Sequence, residues 1–399
     1  MPRPRLLILL VAACALLLLP RPVSAQIFAD VTVAGAVNGT FTIDLEHTKV
    51  PTTVANFVGL ATGQRPWIDF ATGAVRTEPF YTGVTFHRVI AGFMNQTGSR
   101  KGDGSDGPGY SFKDEFDPTL RHGAAYVVSM ANSGAHSNGS QIFITAAPQP
   151  GLNDKHSVFG RVVSGQSIID NINTTPVNGS VPQTPITIQA VAVYGPSLAS
   201  FDLFPATLPT IVDAQPVLTK SGATFTLNYD ARTYSNYIGY RGDNLSTWTA
   251  FANSYFGGTP PTSSVNVTSF ATGARYFFRL ARIDYSTTAA RFIPASAAGR
   301  TFTFTSNFPA LIIVTFNSTG TGGTWNIPGS GTGIFSTLFF SPGRFTAAMR
   351  LLFDSAAVLG GNVDFRPTVD YTSANAGPFT GSTNLPGYPT LTGTFTTTP

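Results

Sequence analysis

Phe86-His87-Arg88-Val89-Ile90-Ala91-Gly92-Phe93-Met94-Asn95-Gln96 sets one arginine among apolar residues and closes on two amides. Residue by residue the stretch is ordinary: an isolated arginine is usually a surface ion pair, and Phe93 and Met94 by default belong to a core. Its company further along the chain changes that reading. Ser129-Met130-Ala131-Asn132-Ser133-Gly134 runs on to Asn138-Gly139-Ser140-Gln141-Ile142-Phe143-Ile144-Thr145, and Leu152-Asn153-Asp154-Lys155-His156-Ser157-Val158-Phe159-Gly160 follows. Together the blocks supply one arginine, a set of large apolar side chains and several amides. The five histidines lack metal-ligand spacing, no G-x-S-x-G elbow occurs, and no calcium-loop pattern is present.

Around these blocks, residues 27–195 have an ordinary composition that holds all five histidines. Phe41-Thr42-Ile43-Asp44-Leu45 alternates as a half-buried strand does. Pro51 stands where a helix starts, with Val54, Phe57, Val58 and Ala61 at helical spacing behind it. Short strand candidates and glycine-rich turns fill the rest, so this half reads as mostly β with one or two helices. From Phe201 onward there is a single lysine, Lys220, and neither glutamate nor histidine. Alternating runs such as Thr224-Phe225-Thr226-Leu227, Thr301-Phe302-Thr303-Phe304 and Leu391-Thr392-Gly393-Thr394-Phe395 recur between Gly/Pro turns, the signal for a sandwich or barrel. About 200 residues of this exceed one typical sandwich of about 100. The expected fold is mainly β: a first domain over 26–197, then one or two β-sandwich-like domains over 198–297 and 298–399.

The whole chain of 399 residues carries only 11% charged residues, with 42% hydrophobic and 12% aromatic, enough for packed cores and too apolar for wholesale disorder. Its formal net charge is +4, but Arg3, Arg5 and Arg21 lie in the first 25 residues, which hold no acid. Without them 24 − 3 = 21 bases face 20 acids, a net of +1, which gives no basis for a nucleic-acid partner. Residues 1–25 have the three parts of a secretory signal: basic Arg3 and Arg5, the apolar run Leu6 to Leu19, and Val23-Ser24-Ala25 as a cleavage site. That run is shorter than the ~20 residues of a membrane span. The expectation is an exported protein, periplasmic or extracellular, with no stable membrane span after cleavage. Cys14, the one cysteine, would leave with the signal, and with it any disulfide or thiol chemistry.

In order and spacing the three blocks resemble the cyclophilin family of peptidyl-prolyl cis-trans isomerases, over about residues 28–195. The resemblance implies a closed antiparallel β-barrel capped by helices, with the active site on its outer face. It implies Arg88 as the catalytic arginine, and Phe93, Met94, Phe143, Leu152 and His156 as the proline pocket. Gln96, Ala131, Asn132 and Gln141 would hold the substrate backbone, and His87 would point to the opposite face. Many members carry an aromatic residue where this chain has Gly151, a position on which the inhibitor cyclosporin leans. The segment of about 206–297 loosely resembles a fibronectin type III module.

These residue types suit the reaction. An Xaa-Pro bond isomerises slowly because amide resonance sets a barrier of ~18–20 kcal/mol. No bond to carbon is broken, so no cofactor, metal or nucleophile is needed. The twisted transition state leaves an electron-rich prolyl nitrogen, and an arginine donor aimed there stabilises it above either planar state. Apolar side chains anchor the ring while amides grip the backbone. The expected partners are therefore proline-containing polypeptides, and the expected role is folding of exported proteins. The alternatives are a peptide-binding module on the same scaffold, or surface attachment through the β-rich half. Gly102-Asp103-Gly104-Ser105-Asp106-Gly107 spells a dinucleotide fingerprint without its strand and helix, and falls where the family has a mobile loop near the substrate. Arg241-Gly242-Asp243 spells an integrin tripeptide that three residues produce by chance.

Overall fold

A computed structural model describes residues 26–134, 136–232, 235–256, 262–271, 275–284, 299–319, 322–342, 346–353, 363–370, 376–383 and 390–398. The signal-like segment 1–25 lies outside the described residues. The first domain contains β1 (Ile27–Gly35), β2 (Gly39–Leu45), α1 (Pro51–Ala61), β3 (Trp67–Asp69), β4 (Ala74–Arg76), β5 (Arg88–Ile90), β6 (Met94–Thr97), β7 (Val127–Met130) and β8 (Ile142–Thr145). β9 (Val158–Ser164), α2 (Gln166–Asn173), β10 (Val177–Asn178), β11 (Val181–Pro182) and β12 (Ile186–Tyr194) complete it.

The alternation around Phe41 is real: Phe41, Ile43 and Leu45 of β2 are buried, as are Ile27, Ala29, Val31 and Val33 of β1 beside it. Pro51 begins α1, where its missing N–H costs nothing. Val50 before it has no capping side chain, and the carboxylate of Glu115 substitutes, accepting from the Thr52 and Thr53 amides and the Thr53 hydroxyl at 3.2, 2.8 and 2.8 Å.

Eight strands form one curled antiparallel sheet in the order β12-β1-β2-β9-β7-β8-β6-β5. The closed barrel expected from the resemblance is not formed; the sheet is a half-barrel. Only the segment before β5 reaches β12, through an isolated bridge between Thr85 and Thr187 flanked by Gly83 N–H to Ile188 C=O at 2.8 Å and Phe86 N–H to Ile186 C=O at 2.9 Å. β5 itself, three residues long, turns instead to the β10–β11 hairpin, where the Val89 amide donates to the Ser180 carbonyl at 2.7 Å. The two ends of the sheet therefore meet through the Thr85–Thr187 bridge and its flanking bonds, and not through a ladder between β5 and β12.

Between residues 210 and 284 the described strands form two antiparallel sheets. One has β13 (Thr210–Asp213), β16 (Ser235–Gly242), β17 (Thr249–Phe256) and β19 (Phe277–Asp284), in the order β13-β19-β16-β17; the other has β14 (Val217–Ser221), β15 (Thr224–Asp230) and β18 (Thr262–Asn266), in the order β14-β15-β18. Tyr229 of one packs on Tyr237 of the other with ring centroids 4.6 Å apart, so the sheets face each other as a sandwich. The integrin tripeptide lies at the end of β16 with Arg241 paired to Asp243, the two charges spent on each other.

The last domain departs from the sandwich expected for 298–399. Its eight strands, from Thr301–Ser306 to Thr390–Thr398, pair each with the next and the last with the first into a closed barrel. Phe302, Phe304, Phe316, Trp325, Phe365 and Phe395 are among the side chains filling it, with Thr301, Thr303, Thr394 and Thr396 on the alternate face. Inside–outside alternation is common to a sandwich and a barrel; only the pairing of first and last strands distinguishes them.

The first domain and the sandwich share one apolar cluster, in which Leu208, Ile211, Ile238, Tyr240, Ala281 and Ile283 join the first domain's core. Arg65, 1% exposed, donates to the carbonyls of Pro209 and Leu203, both at 2.8 Å. The segment that follows the composition break is therefore what covers this buried guanidinium. No described helix is long and apolar enough to cross a membrane.

Candidate active site

Strand register assembles the site. Arg88 of β5 pairs with Gln96 of β6, Gln96 with Phe143 of β8, and Phe143 with Ser129 of β7. Four residues distant in sequence thus form one row across four strands, on the face away from the core. The neighbouring row, Val89, Asn95, Ile144 and Val128, is buried. Asn95 donates to the Ile169 carbonyl at 3.0 Å and accepts from Asn173 at 2.8 Å, which ties β6 to α2.

On the outer face a cavity of about 590 Å³ is lined by nine of the ten expected residues: Arg88, Phe93, Met94, Gln96, Ala131, Asn132, Phe143, Leu152 and His156. Gln141 is absent from this lining and instead borders an adjoining groove of about 280 Å³ that shares Gln96, Gly104, Ala131 and Asn132. Arg88 is exposed, and its side chain donates through Nη1 to Gln96 Oε1 at 3.1 Å. Gln96 Nε2 donates to Gln141 Oε1 at 3.0 Å, and Gln141 Nε2 donates to the carbonyls of Gly104 and Asp106, both at 2.8 Å. An amide chain so joins the guanidinium to the 102–107 loop.

That loop is the false dinucleotide fingerprint, and its Gly102, Asp103 and Gly104 line the cavity. It is held at its base, since Ser99 Oγ donates to Asp106 Oδ1 at 2.5 Å and the Lys101 amide to Asp106 Oδ2 at 3.1 Å. The Asn132 side chain donates to the Lys155 carbonyl at 2.7 Å and secures the Leu152–His156 turn. His156 donates from Nδ1 to the Met130 carbonyl at 2.9 Å, because a carbonyl can only accept, and meets Phe143 edge-on at 5.4 Å. It is both packing and cavity wall.

Two histidines were misread or missed in the sequence. His87 lines the cavity rather than pointing to the opposite face. Strand alternation does not reach it, because β5 begins only at Arg88. His122, which no motif marks, is fully buried and stacks on the far side of Phe143 at 5.7 Å and 12°. Its ring nitrogens are 3.1 Å from Asn153 Oδ1 and 3.0 Å from Ser129 Oγ. It therefore backs the aromatic wall of the cup. Ser180 and Val181 of the β10–β11 hairpin add a wall that the sequence blocks did not contain. Among the described residues no three His, Cys, Asp or Glu side chains cluster as metal ligands.

Burial pushes the imidazole pKa of His87 and of His122 below the ordinary 6.5. For His87 the carboxylates of Asp106 and Asp103 oppose this shift in part. The folded state thus holds both rings neutral, and the unfolded chain binds protons first as pH falls below 6.5. Stability complete above that pH is lost as pH drops toward the folded pKa values. The unfolding midpoint is expected to fall between neutral pH and about pH 5, and His87→Gln with His122→Gln should flatten this slope. Thermal melts across that range check it; an equally steep slope in the double variant would assign the effect to other groups.

A family model described as "Cyclophilin type peptidyl-prolyl cis-trans isomerase/CLD" matches residues 28–193. The chain is 45% identical over 159 residues to the peptidyl-prolyl cis-trans isomerase B of Streptomyces anulatus, covering 39% of this chain and 91% of that protein. It is 43% identical over 158 residues to a probable peptidyl-prolyl cis-trans isomerase A of Mycobacterium leprae, covering 39% of this chain and 87% of that one. A crystal structure of a Cryptosporidium parvum cyclophilin-type isomerase aligns at 25% identity and TM-score 0.37, over 43% of this chain and 98% of that one. With an arginine at the rim of an apolar cup, and with relatives matched over nearly their whole length, this chain belongs to the cyclophilin-type peptidyl-prolyl cis-trans isomerases.

Proposed function

We propose that this protein is an exported isomerase that turns Xaa-Pro bonds of exported polypeptides between cis and trans and so assists their folding, in a periplasm or outside the cell. One observation carries the reading of the site: Arg88 sits at the rim of the cup formed by Phe93, Met94, Phe143 and Leu152, hydrogen-bonded to the neutral amide of Gln96. Its charge is available to a prolyl nitrogen that loses resonance as the bond twists. Gln96 orients the guanidinium, and Gln141 fixes Gln96 through the amide chain. Asn132, whose side chain gives one N–H to the Lys155 carbonyl, offers a bound peptide its main-chain groups. Export rests on the basic, apolar and small-residue parts of residues 1–25. Relaxation of a cis-enriched Xaa-Pro peptide by the full-length protein tests the activity; no acceleration at any concentration would sink it. Tracking whether the first 25 residues are removed on expression in a secreting host tests the export.

A departure at Gly151 predicts weak inhibition by cyclosporin. A Cβ built there meets nothing within 4 Å, so the position is open and offers neither ring nor indole donor. Gly151→Trp is expected to tighten inhibition about tenfold, since buried interface aromatics often count for more than about 1 kcal/mol. Inhibition titrations of both proteins check this, and tight inhibition of the natural protein, unchanged by the substitution, would refute it.

A further inference from the structure

The β3–β4 hairpin is rooted in the first domain at one end and held by the sandwich at the other. At its root Trp67 and Ile68 are 2% and 1% exposed, and the Ile68 amide donates to the Pro108 carbonyl at 3.0 Å. Its turn is tied by Asp69, whose carboxylate accepts from the Ala71 amide at 2.9 Å and the Thr72 hydroxyl at 2.8 Å. Gly73 closes the turn at φ +68°, and a Cβ there would fall 2.3 Å from Cγ of Tyr240 on β16, so the turn rests directly on that ring. Arg279 of β19 lies 4.0 Å over the Trp248 ring and donates to the Thr72 carbonyl at 2.8 Å. The sandwich thus grips the turn by contact and by hydrogen bond.

Phe70 belongs to this turn, and it lines the groove that continues from the proline cavity past Gln96 and Asn132. Much of the remaining lining there is short and polar, with Ser105, Asp106, Ser111 and Ser133. A polypeptide with its proline in the larger cavity advances about 3.3 Å per residue when extended, so a side chain close to the bond reaches this groove. There it meets hydroxyls and two aromatic residues, Phe70 and the more deeply buried Tyr110, and an apolar side chain gains from contact with the accessible ring of Phe70.

We propose that Phe70 selects substrates with an apolar side chain near the isomerised bond, and that the sandwich, through Tyr240 and Arg279, holds Phe70 where it does so. This rests on reading the larger cavity as the proline site. It makes the domain after the composition break a positioning element of the isomerase rather than a passenger.

The test uses the full-length protein and Xaa-Pro peptides in which residues flanking the pair are changed one at a time from Ala to Leu. At one flanking position kcat/KM for Leu over Ala is expected to be about tenfold, the low end of what small apolar contacts supply. Phe70→Ala should bring that ratio toward one, with Phe70→Leu intermediate. Arg279→Ala, remote from the peptide, should lower the same ratio through KM, and Arg279→Lys, which keeps a donor, should recover part of it. A ratio unchanged in Phe70→Ala overturns the proposal. A ratio lost in Phe70→Ala but intact in Arg279→Ala overturns the part given to the sandwich. Failure of the natural protein on every peptide would instead strike the isomerase reading itself.

Discussion

Replacing Arg88 by alanine is expected to slow prolyl isomerisation by about 10²–10³ while leaving the unfolding midpoint nearly unchanged, because removing one oriented transition-state donor typically costs ~2.7–4 kcal/mol. The fold should not register the loss, since the side chain is exposed on the outer face of the half-barrel and donates to Gln96 at 3.1 Å. Arg88→Lys should fall between the two: the charge stays, but one flexible ammonium cannot hold Gln96 and the prolyl nitrogen in a fixed fork. Peptide relaxation rates and thermal melts on the same preparations separate the two effects. A folded Arg88→Ala protein with the natural rate would leave the site as a peptide-binding surface with no catalytic arginine.

Cutting the chain after residue 197 keeps every site residue but is expected to give a much less stable domain than cutting after residue 210. The longer piece retains Leu203 and Pro209, whose carbonyls accept from Arg65, and Leu208, which is 3% exposed. Fully burying a leucine is worth about 1.5–3 kcal/mol. Hydrogen bonds to a charged group add about 1.5–3 kcal/mol each when water does not replace them. Discounting for water at the newly exposed guanidinium, a difference of about 3 kcal/mol remains, roughly 10 °C in Tm for a domain of this size. Both pieces should isomerise peptides at low temperature. Equal melting temperatures would show that residues 198–210 contribute no stability to the first domain.

The candidate site was legible in the sequence to an unusual degree, because its residues come in short blocks that keep their order: Phe86–Gln96, Ser129–Thr145 and Leu152–Gly160. Phe93 and Met94 read as core residues one at a time and form a cup with Phe143 and Leu152 only as a set. Gln141, expected to hold the substrate backbone, lies beside the cavity in the adjoining groove and accepts from Gln96. His122 carries no sequence signal, since what makes it part of the wall is a stacking partner 21 residues away on β8. Val181 enters through a hairpin whose place against β5 depends on one amide, that of Val89.

What the amino-acid order determined alone was local: the strand at Phe41–Leu45, the helix beginning at Pro51, the change of composition after Pro196, and the residue types that suit an unassisted bond rotation. These follow from alternation, from a fixed proline φ and from side-chain chemistry, all of which act within a few residues. The tertiary structure alone decided what depends on distant pairing. It left the first sheet a half-barrel because β5 turns to the β10–β11 hairpin, and closed the last domain into a barrel because its first and last strands meet. It also placed residues 198–209 with the domain before the break, since a guanidinium buried at Arg65 requires acceptors and the nearest chain supplies them. Alternation records which face a side chain takes, whereas partners across a sheet are set by register between segments far apart in sequence, and no short stretch encodes that register.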